Sequence, residues 1–541
     1  MTELDTFARD NLPPCDQWPD LLLSGLDYPD SLNAVTELLD VRVARGEGER
    51  PCIGSAQETL SYAALAEQVN RIANVLTHRF GLVPGNRVLL CAPNTPLMVA
   101  ACFAVTKAGG IAVPAMPLLR AKELAFVVTK ARIALALCDH RLAGEMNRAK
   151  DAAPELQRVV PMGGAGADDL TTLMQVESSE HEAFPTRADD VCLIAFTSGT
   201  TGVPKGTMHL HRDLLAVCDT YGRHVLRARA DDVFVGSPPI AFTFGLGGLV
   251  LFPMRVGAST ILLEQPAPDR LLALIRTRRP TVCFTAPTAY RAMLGSMAPG
   301  DTGSLRVCVS AGEALPKATW EAWRDATGIS ILDGIGSTEM LHIFIGAPAE
   351  AVRPGSTGIP VPGYEAKLID DAGRDLPRGS VGRLAVRGPT GCRYLADTRQ
   401  TIYVRNGWNV TGDTYRQDED GYFWFQARSD DMIVSAGYNI AGPEVEAALI
   451  SHPAVVECAV IGTPDEARGM VVTAFVVLQA GETGTAPLVK SLQDHVKAEI
   501  APYKYPRIIR FLDALPRTGS GKVKRFELRA HASEIAEKGM A

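Results

Sequence analysis

The sequence predicts an α/β protein, with a large N-terminal domain of two α/β layers plus a small β-rich lobe and a small α+β C-terminal domain. Short apolar runs rich in Val, Ile and Leu alternate with Ala/Leu/Arg stretches of helical period, the rhythm of a mostly parallel sheet covered by helices. The texture changes after Gly346, where Gly, Pro and Asp turns separate short strands. At 541 residues the chain also exceeds the size at which one hydrophobic core keeps growing.

In chain order, RVLLCAPN (87–94) reads as a strand, TPLMVAACFAVTKAG (95–109) as a helix and IAVPAMP (111–117) as a strand. RAKELAFVVTKA (120–131) follows as a helix and IALALCD (133–139) as a strand. The rhythm recurs from about Asp232 to Gly334, with TILLE, TVCFTAP, SLRVCVSAG and ISILDGIG as strands. Val233 to Met254 carries no charge over 22 residues, long enough to span a bilayer. Pro238, Pro239, Pro253 and four glycines argue instead for a buried strand, a loop and a helix start. EAKLID, GRLAVRG and GYFWFQA are the strands of the lobe at 353–430. The polar QARSDD (426–431) marks a hinge near Asp430. Beyond it PEVEAALISHP is a helix, VVECAVIG and VVTAFVVL are strands, a further helix follows, and IIRFLDALPR is a strand. The expected domains are 1–429 and 430–541.

The bulk numbers exclude several classes. Apolar residues are 46% and charged residues 21%, ordinary for a globular protein, and the net charge of −7 argues against non-specific nucleic-acid binding. Eleven cysteines without a C-x-x-C pair read as reduced, mostly buried thiols rather than a disulfide frame or zinc site. MTELDTFARDNLPP has three acids and no apolar core of a secretory signal, so a cytoplasmic protein with no membrane span is expected.

FTSGTTGVPKG (196–206) packs three glycines, four hydroxyls and a lysine behind the apolar run VCLIAF. Backbone amides of such a loop can converge on an anion while hydroxyls and lysine add donors and charge, which predicts a phosphate site. The well-known P-loop does not fit, because Lys205 lies between Pro204 and Gly206. GSGKV (519–523) has Pro516 and Val523 where that pattern needs Gly and Ser/Thr. GIGSTE (334–339) has Glu339 where a dinucleotide fingerprint needs its third glycine. The serine turns do not read G-x-S-x-G, which disfavours a serine hydrolase.

TSGTTGVPKG, DGIGSTE (333–339), TGD (411–413), ARSDDMIVSAGYN (427–439) and PRTGSGKVKR (516–525) occur in that order. Together, over roughly residues 60–530, they resemble the signature segments of the adenylate-forming superfamily of acyl-CoA synthetases, adenylation domains and luciferases. The resemblance implies a reaction in which a carboxylate attacks the α-phosphate of ATP and a thiol then displaces AMP. It implies that Thr197, Ser198, Gly199, Thr200, Thr201 and Lys205 hold the β- and γ-phosphates, and that Glu339 helps bind Mg²⁺, as a hard oxygen ligand should. Thr338 would bond the α-phosphate. An STE sequence is also a helix-start signature, with Ser or Thr as the cap.

By the same resemblance Asp413 suits the ribose diol and Arg428 the ribose or phosphate, although an Asp in T-G-D is by itself a turn residue. The adenine would lie against Gly312, Glu313 and Ala314 and against Asp333, Gly334 and Ile335, where many relatives place an aromatic. Lys522 would bridge carboxylate and α-phosphate. The C-terminal domain is then mobile, turning about Asp430 so that Ala436 and Gly437 reach the pantetheine arm of coenzyme A.

DGIGSTEMLHIF (333–344) and DNLPPCDQWPDLL (10–22) are similar to the branch of benzoate- and 2-aminobenzoate-CoA ligases. The resemblance places Thr243, Phe244, Ala311, Gly336, His342 and Ile343 around a flat ring. No acid lies between Val233 and Glu264, where amino-acid adenylating relatives carry an aspartate. Benzoate ligases tend to carry Ala-Tyr where this chain has Thr243-Phe244, which favours 2-aminobenzoate, and His342 is an acceptor suited to its ortho-amino group. The expected partners are a small aromatic acid and coenzyme A, in a monomer or homodimer. Benzoate as the acid, loading of a carrier protein and a non-catalytic acyl binder stay open as alternatives.

Overall fold

The computed structural model describes residues 4–56, 58–197, 204–428, 431–435, 438–465, 468–500, 502–518 and 521–538. Its first sheet has six strands in the order 158–162, 135–139, 87–91, 111–115, 191–196 and 206–210. All pairs are parallel except the last, a hairpin between Val191–Phe196 and Gly206–Leu210. Strands Arg87–Cys91, Ile111–Ala115 and Leu135–Asp139 are buried at every position. That is what unbroken apolar runs require when helices cover both faces. Pro96–Lys107 is one such helix: Thr95 caps it by accepting from the Met98 amide, and Pro96 at its start gives up an N–H that needed no partner.

The second sheet has nine strands, with a parallel centre of 331–336, 307–310, 282–285, 233–236, 259–262 and 51–54 and antiparallel strands at both ends. The helix beginning at Thr243 runs on to Val256, further than the prolines and glycines suggested. Wide i→i+5 turns over Gly247–Leu251 accommodate Pro253, which lacks the amide that regular pairing would use. Among the described residues no helix is long and apolar enough to cross a membrane. All eleven cysteines are free, and all but Cys15 and Cys102 are buried.

The lobe is an antiparallel sheet of 365–369, 381–387, 408–417, 404–405 and 423–428. Its centre is Trp408–Gln417, so Thr411-Gly412-Asp413 lies within a strand and not in a turn. The strand bulges there. Val410 faces Ala385 and Thr414 faces Arg383, with the Thr411 hydroxyl donating to the Leu384 carbonyl at 3.1 Å. Bulges of this kind re-aim a side chain at the edge of a site.

The C-terminal domain pairs 438–440, 433–435, 469–478 and 455–465 antiparallel, adds 508–511 parallel to 469–478, and carries helices Gly442–Ile450 and Ala486–Glu499. Its own apolar core includes Val445, Leu449, Val460, Val472, Leu492 and Val496. The α+β character expected beyond the hinge is present. Asp430 itself lies outside the described residues.

A fully buried ion pair ties the lobe's connection to the first sheet: Arg393 donates to Asp213 at 2.8 Å, and the Leu210 amide donates to the same oxygen. Asp213→Ala strands the Arg393 charge and is expected to cost about 3–5 kcal/mol, read as a lower denaturant midpoint. Adding Arg393→Leu is expected to return part of the loss, because the stranded charge goes with it.

Candidate active site

Carboxyl ends of parallel strands collect ligands, because the chain leaves the sheet there in loops whose backbone groups are free to bind. The segments after Val191–Phe196, Val233–Gly236, Val307–Ser310 and Ile331–Gly336 are the four that the sequence singled out. The two sheets meet at these ends. Asn94, just past Arg87–Cys91, donates to the Pro238 carbonyl at 2.9 Å and accepts from the Ile240 amide at 2.8 Å.

The glycine- and hydroxyl-rich loop springs from a hairpin, not from a strand entering a helix, which is why no P-loop pattern fits it. Its base is closed by the Thr197 amide donating to the Lys205 carbonyl at 2.9 Å. Ser198, Gly199, Thr200 and Thr201 lie outside the described residues. The Lys205 ammonium donates to the Tyr394 hydroxyl at 2.7 Å, and that hydroxyl donates to Glu339 at 2.5 Å. Lys205 and Glu339 are 3.6 Å apart, and Lys205 lies over the rings of Tyr394 and Tyr403. Tyr394 was missed in the sequence, where RYLADTRQ shows no pattern that would single it out.

Ser337 to Leu341 form a tight turn between strands 331–336 and 343–346, closed by amides of Met340 and Leu341. No helix starts there, so the capping reading of STE does not hold. Ser337 caps the turn alone, its hydroxyl accepting from Met340 at 3.2 Å. Leu341 stands at φ 67°, a left-handed conformation costly for a branched side chain, and it is buried. Beneath the turn the buried His209 ring meets the Thr338 carbonyl at 2.9 Å. Burial lowers the His209 pKa to about 4, so the neutral ring is the donor.

By register Ser310 lies beside Asp333, so the segment from Ala311 leaves the sheet beside the strand that continues into Gly334 and Ile335. Gly312 has φ 92°, a conformation open to glycine. Burial pushes the Asp333 carboxyl well above the usual range, against donation from the Gly334 and Leu315 amides. Asp413 pairs with Arg428 across the lobe strands, and Arg428 is placed here by its backbone alone. Lys522 is exposed, on a hairpin closed by the Thr518 amide donating to its carbonyl at 2.7 Å. Ala436 and Gly437 lie outside the described residues.

Of the residues expected around the ring, His342 lies buried in a cluster of aromatic side chains. Phe252 meets its ring edge-on at 4.6 Å between centroids, with Tyr221 at 5.3 Å, Phe244 at 5.8 Å and Phe284 at 6.5 Å. Tyr221, Phe252 and Phe284 were not foreseen. The charge-free run 233–254, which includes Phe252, was the one available signal. Gly247 has no room for a side chain, since a Cβ there would lie 2.3 Å from His342, and one on Gly336 would lie 2.7 Å from the His342 carbonyl. Thr243, Ala311 and Ile343 are buried in the same region. Both ring nitrogens of His342 and the Tyr221 hydroxyl are buried with no hydrogen-bond partner. The Phe244 backbone favours the charged ring without a hydrogen bond of regular geometry, and burial outweighs it.

Residues 40–394 match the family described as AMP-binding enzyme, and residues 444–522 match the AMP-binding enzyme C-terminal domain. The chain is 37% identical over 536 residues to a benzoate–CoA ligase of Thauera aromatica, covering 98% of this chain and 100% of that protein. The crystal structure of the anthranilate CoA ligase AuaEII in complex with anthranoyl-AMP is similar at a TM-score of 0.90 and 34% identity, covering 94% of this chain and 99% of that one. A benzoate CoA ligase structure from Burkholderia xenovorans LB400 has a TM-score of 0.85 at 32% identity, covering 92% and 100%.

Burial lowers the His342 pKa to about 3, as it does for His211, and to about 4 for His209. All three are therefore expected to stay neutral between pH 5 and 8, read by NMR of ring-labelled histidine. The unfolded chain takes up these protons from about pH 6.5 downward while the folded one does not, so their contribution to stability is lost progressively as pH falls below that value. Titration of any of the three near 6.5 would mean that water reaches it.

Proposed function

The chain belongs to the AMP-binding enzyme family, and on that premise we propose that it joins 2-aminobenzoate to coenzyme A through an aryl-AMP intermediate. It is an AMP-forming acid–thiol ligase of aromatic acids that uses ATP, Mg²⁺ and coenzyme A. The observation behind the choice of acid is the bare imidazole of His342 among four aromatic rings. A buried polar group without a partner costs free energy that a bound ligand can recover. Aromatic side chains around the imidazole suit a benzoate ring, and a neutral ring nitrogen suits an ortho-amino donor. Benzoate is the second reading, supported by the 37% identity to the benzoate–CoA ligase over nearly the whole chain.

In the first step a carboxylate oxygen attacks the α-phosphorus of ATP, the P–O bond to pyrophosphate breaks, and aryl-AMP forms. Two anions must approach, so cations and donors are needed between them. In this proposal Lys522 bridges carboxylate and α-phosphate, Thr338 donates to the latter, and Lys205 with residues 197–201 cradles the leaving phosphates. Glu339 would hold Mg²⁺, which neutralises phosphate charge. Among the described residues no cluster of three or more His, Cys, Asp or Glu side chains is placed to hold a metal. A single buried carboxylate fits Mg²⁺, which completes its shell with phosphate and water. Asp413 and Arg428 would take the ribose, and residues 312–314 and 333–335 the adenine. In the second step the thiol sulfur attacks the acyl carbon, the C–O bond to AMP breaks, and the thiol proton passes to solvent. Rotation about Asp430 at the 429/430 boundary would withdraw Lys522 and admit Ala436 and Gly437.

AMP release is to be measured with benzoate, 2-aminobenzoate, 4-hydroxybenzoate, octanoate and phenylalanine, each with and without coenzyme A. The expected winner is 2-aminobenzoate, dependent on coenzyme A; turnover without it would point to a carrier protein, and octanoate winning would end the ring-pocket assignment. His342→Ala is expected to cost 2-aminobenzoate about tenfold or more in kcat/KM beyond its effect on benzoate. Equal losses would remove the amino-recognition role. Lys522→Ala is expected to slow aryl-AMP formation by about 10²–10³ while sparing thiolysis of preformed aryl-AMP.

A further inference from the structure

Arg517, at the base of the Lys522 hairpin, reaches the large domain. Arg517 in the small domain donates to Glu313, in the turn after strand 307–310, at 3.3 Å. The same guanidinium donates to Glu457 of its own domain and, at 2.5 Å, to the carbonyl of Gly521. Gly521 directly precedes Lys522. The hairpin around it is closed by the Arg517–Val523 bridge and by the Lys524 amide donating to the Pro516 carbonyl at 2.8 Å.

We propose that Arg517 is a positioning residue that couples docking of the small domain to the aim of Lys522, by gripping the Glu313 carboxylate, the Glu457 carboxylate and the Gly521 carbonyl with one fork. It rests on the two-step reaction argued above, and on the first step in particular. The three acceptors lie in three different segments, and a planar guanidinium with five N–H donors in a fixed fork holds them in a set geometry that a freely rotating ammonium does not impose. Burial raises the Glu313 carboxyl above its ordinary value, and the charges of Arg517 and then Lys522 pull it back, so both cations stand close to this turn. The latch joins the adenine-side turn to the lysine loop and does not touch the reacting atoms. Its loss leaves Lys522 present and misdirected. Thiolysis, for which Lys522 must leave, does not use the grip.

The test follows the half-reactions separately, using whichever acid of the panel the wild-type enzyme turns over fastest, so that an error in the choice of acid leaves it intact. Arg517→Met is expected to slow ATP–pyrophosphate exchange about 10–100-fold, chiefly in kcat, and to leave coenzyme A thiolysis of preformed aryl-AMP within about twofold. Glu313→Gln is expected to slow exchange to a similar degree in kcat, with any effect of its adenine contact on aryl-AMP confined to KM, and the double variant to be no slower in exchange than the worse single one, since the residues act as a unit. Arg517→Lys is expected to recover part of the exchange rate. Retained thiolysis reports that the variants are folded. Unchanged exchange in Arg517→Met, equal loss of both half-reactions, or additive losses in the double variant would each overturn the latch.

Discussion

The hydroxyl of Tyr394 stands between an ammonium and a carboxylate, and the architecture of the large domain converges on that contact. Lys205 comes from the hairpin of the first sheet, Glu339 from the turn of the second, and Tyr394 from the connection between lobe strands 381–387 and 404–405. None of the three could be held so closely by its own sheet. The pairing is partly buried, where opposite charges act more strongly than in water and where neither group could be left alone cheaply. It therefore reports the correct assembly of three layers. It also leaves a lysine and a carboxylate poised at the mouth of a loop rich in backbone and hydroxyl donors.

Support for this contact continues outward in polar interactions. His209 holds the Thr338 carbonyl from below, and Asp213 and Arg393 form a fully buried ion pair in the same region. The turn they support carries a left-handed Leu341, a strained conformation that persists because surrounding contacts determine it. On the other side of that turn the environment inverts. His342 sits among aromatic rings, with its nitrogens unpartnered and its charged form suppressed by burial. One five-residue turn thus separates the Lys205–Tyr394–Glu339 contact from the aromatic cluster around His342. In the proposed reaction the first would meet phosphate and the second the aromatic acid.

Much of the fold was legible because it is written in local pattern. Continuous apolar strands alternating with amphipathic helices can be read residue by residue, and the fully buried strands 87–91, 111–115 and 135–139 appear where the runs predicted them. The TGD segment shows the limit. Its composition reads as a turn, yet it lies inside a ten-residue strand because the partner strand at Leu384 tolerates a bulge. The STE segment reads as a helix start and is a tight turn, because the strand that follows must reverse direction within the same sheet. In both cases a neighbour remote in sequence overrode local preference.

By itself the sequence determined the fold class, the order of its segments and the chemistry those segments carry. Spacing, apolar period and residue type are properties of a contiguous chain. Tertiary structure alone decided which groups touch: Tyr394 between Lys205 and Glu339, the rings of Tyr221, Phe252 and Phe284 around His342, and Arg517 reaching across to Glu313. Those partners are separated by tens to hundreds of residues, and each reaches a satisfactory environment through the other. Their meaning is set by distance and burial, which no stretch of sequence encodes alone.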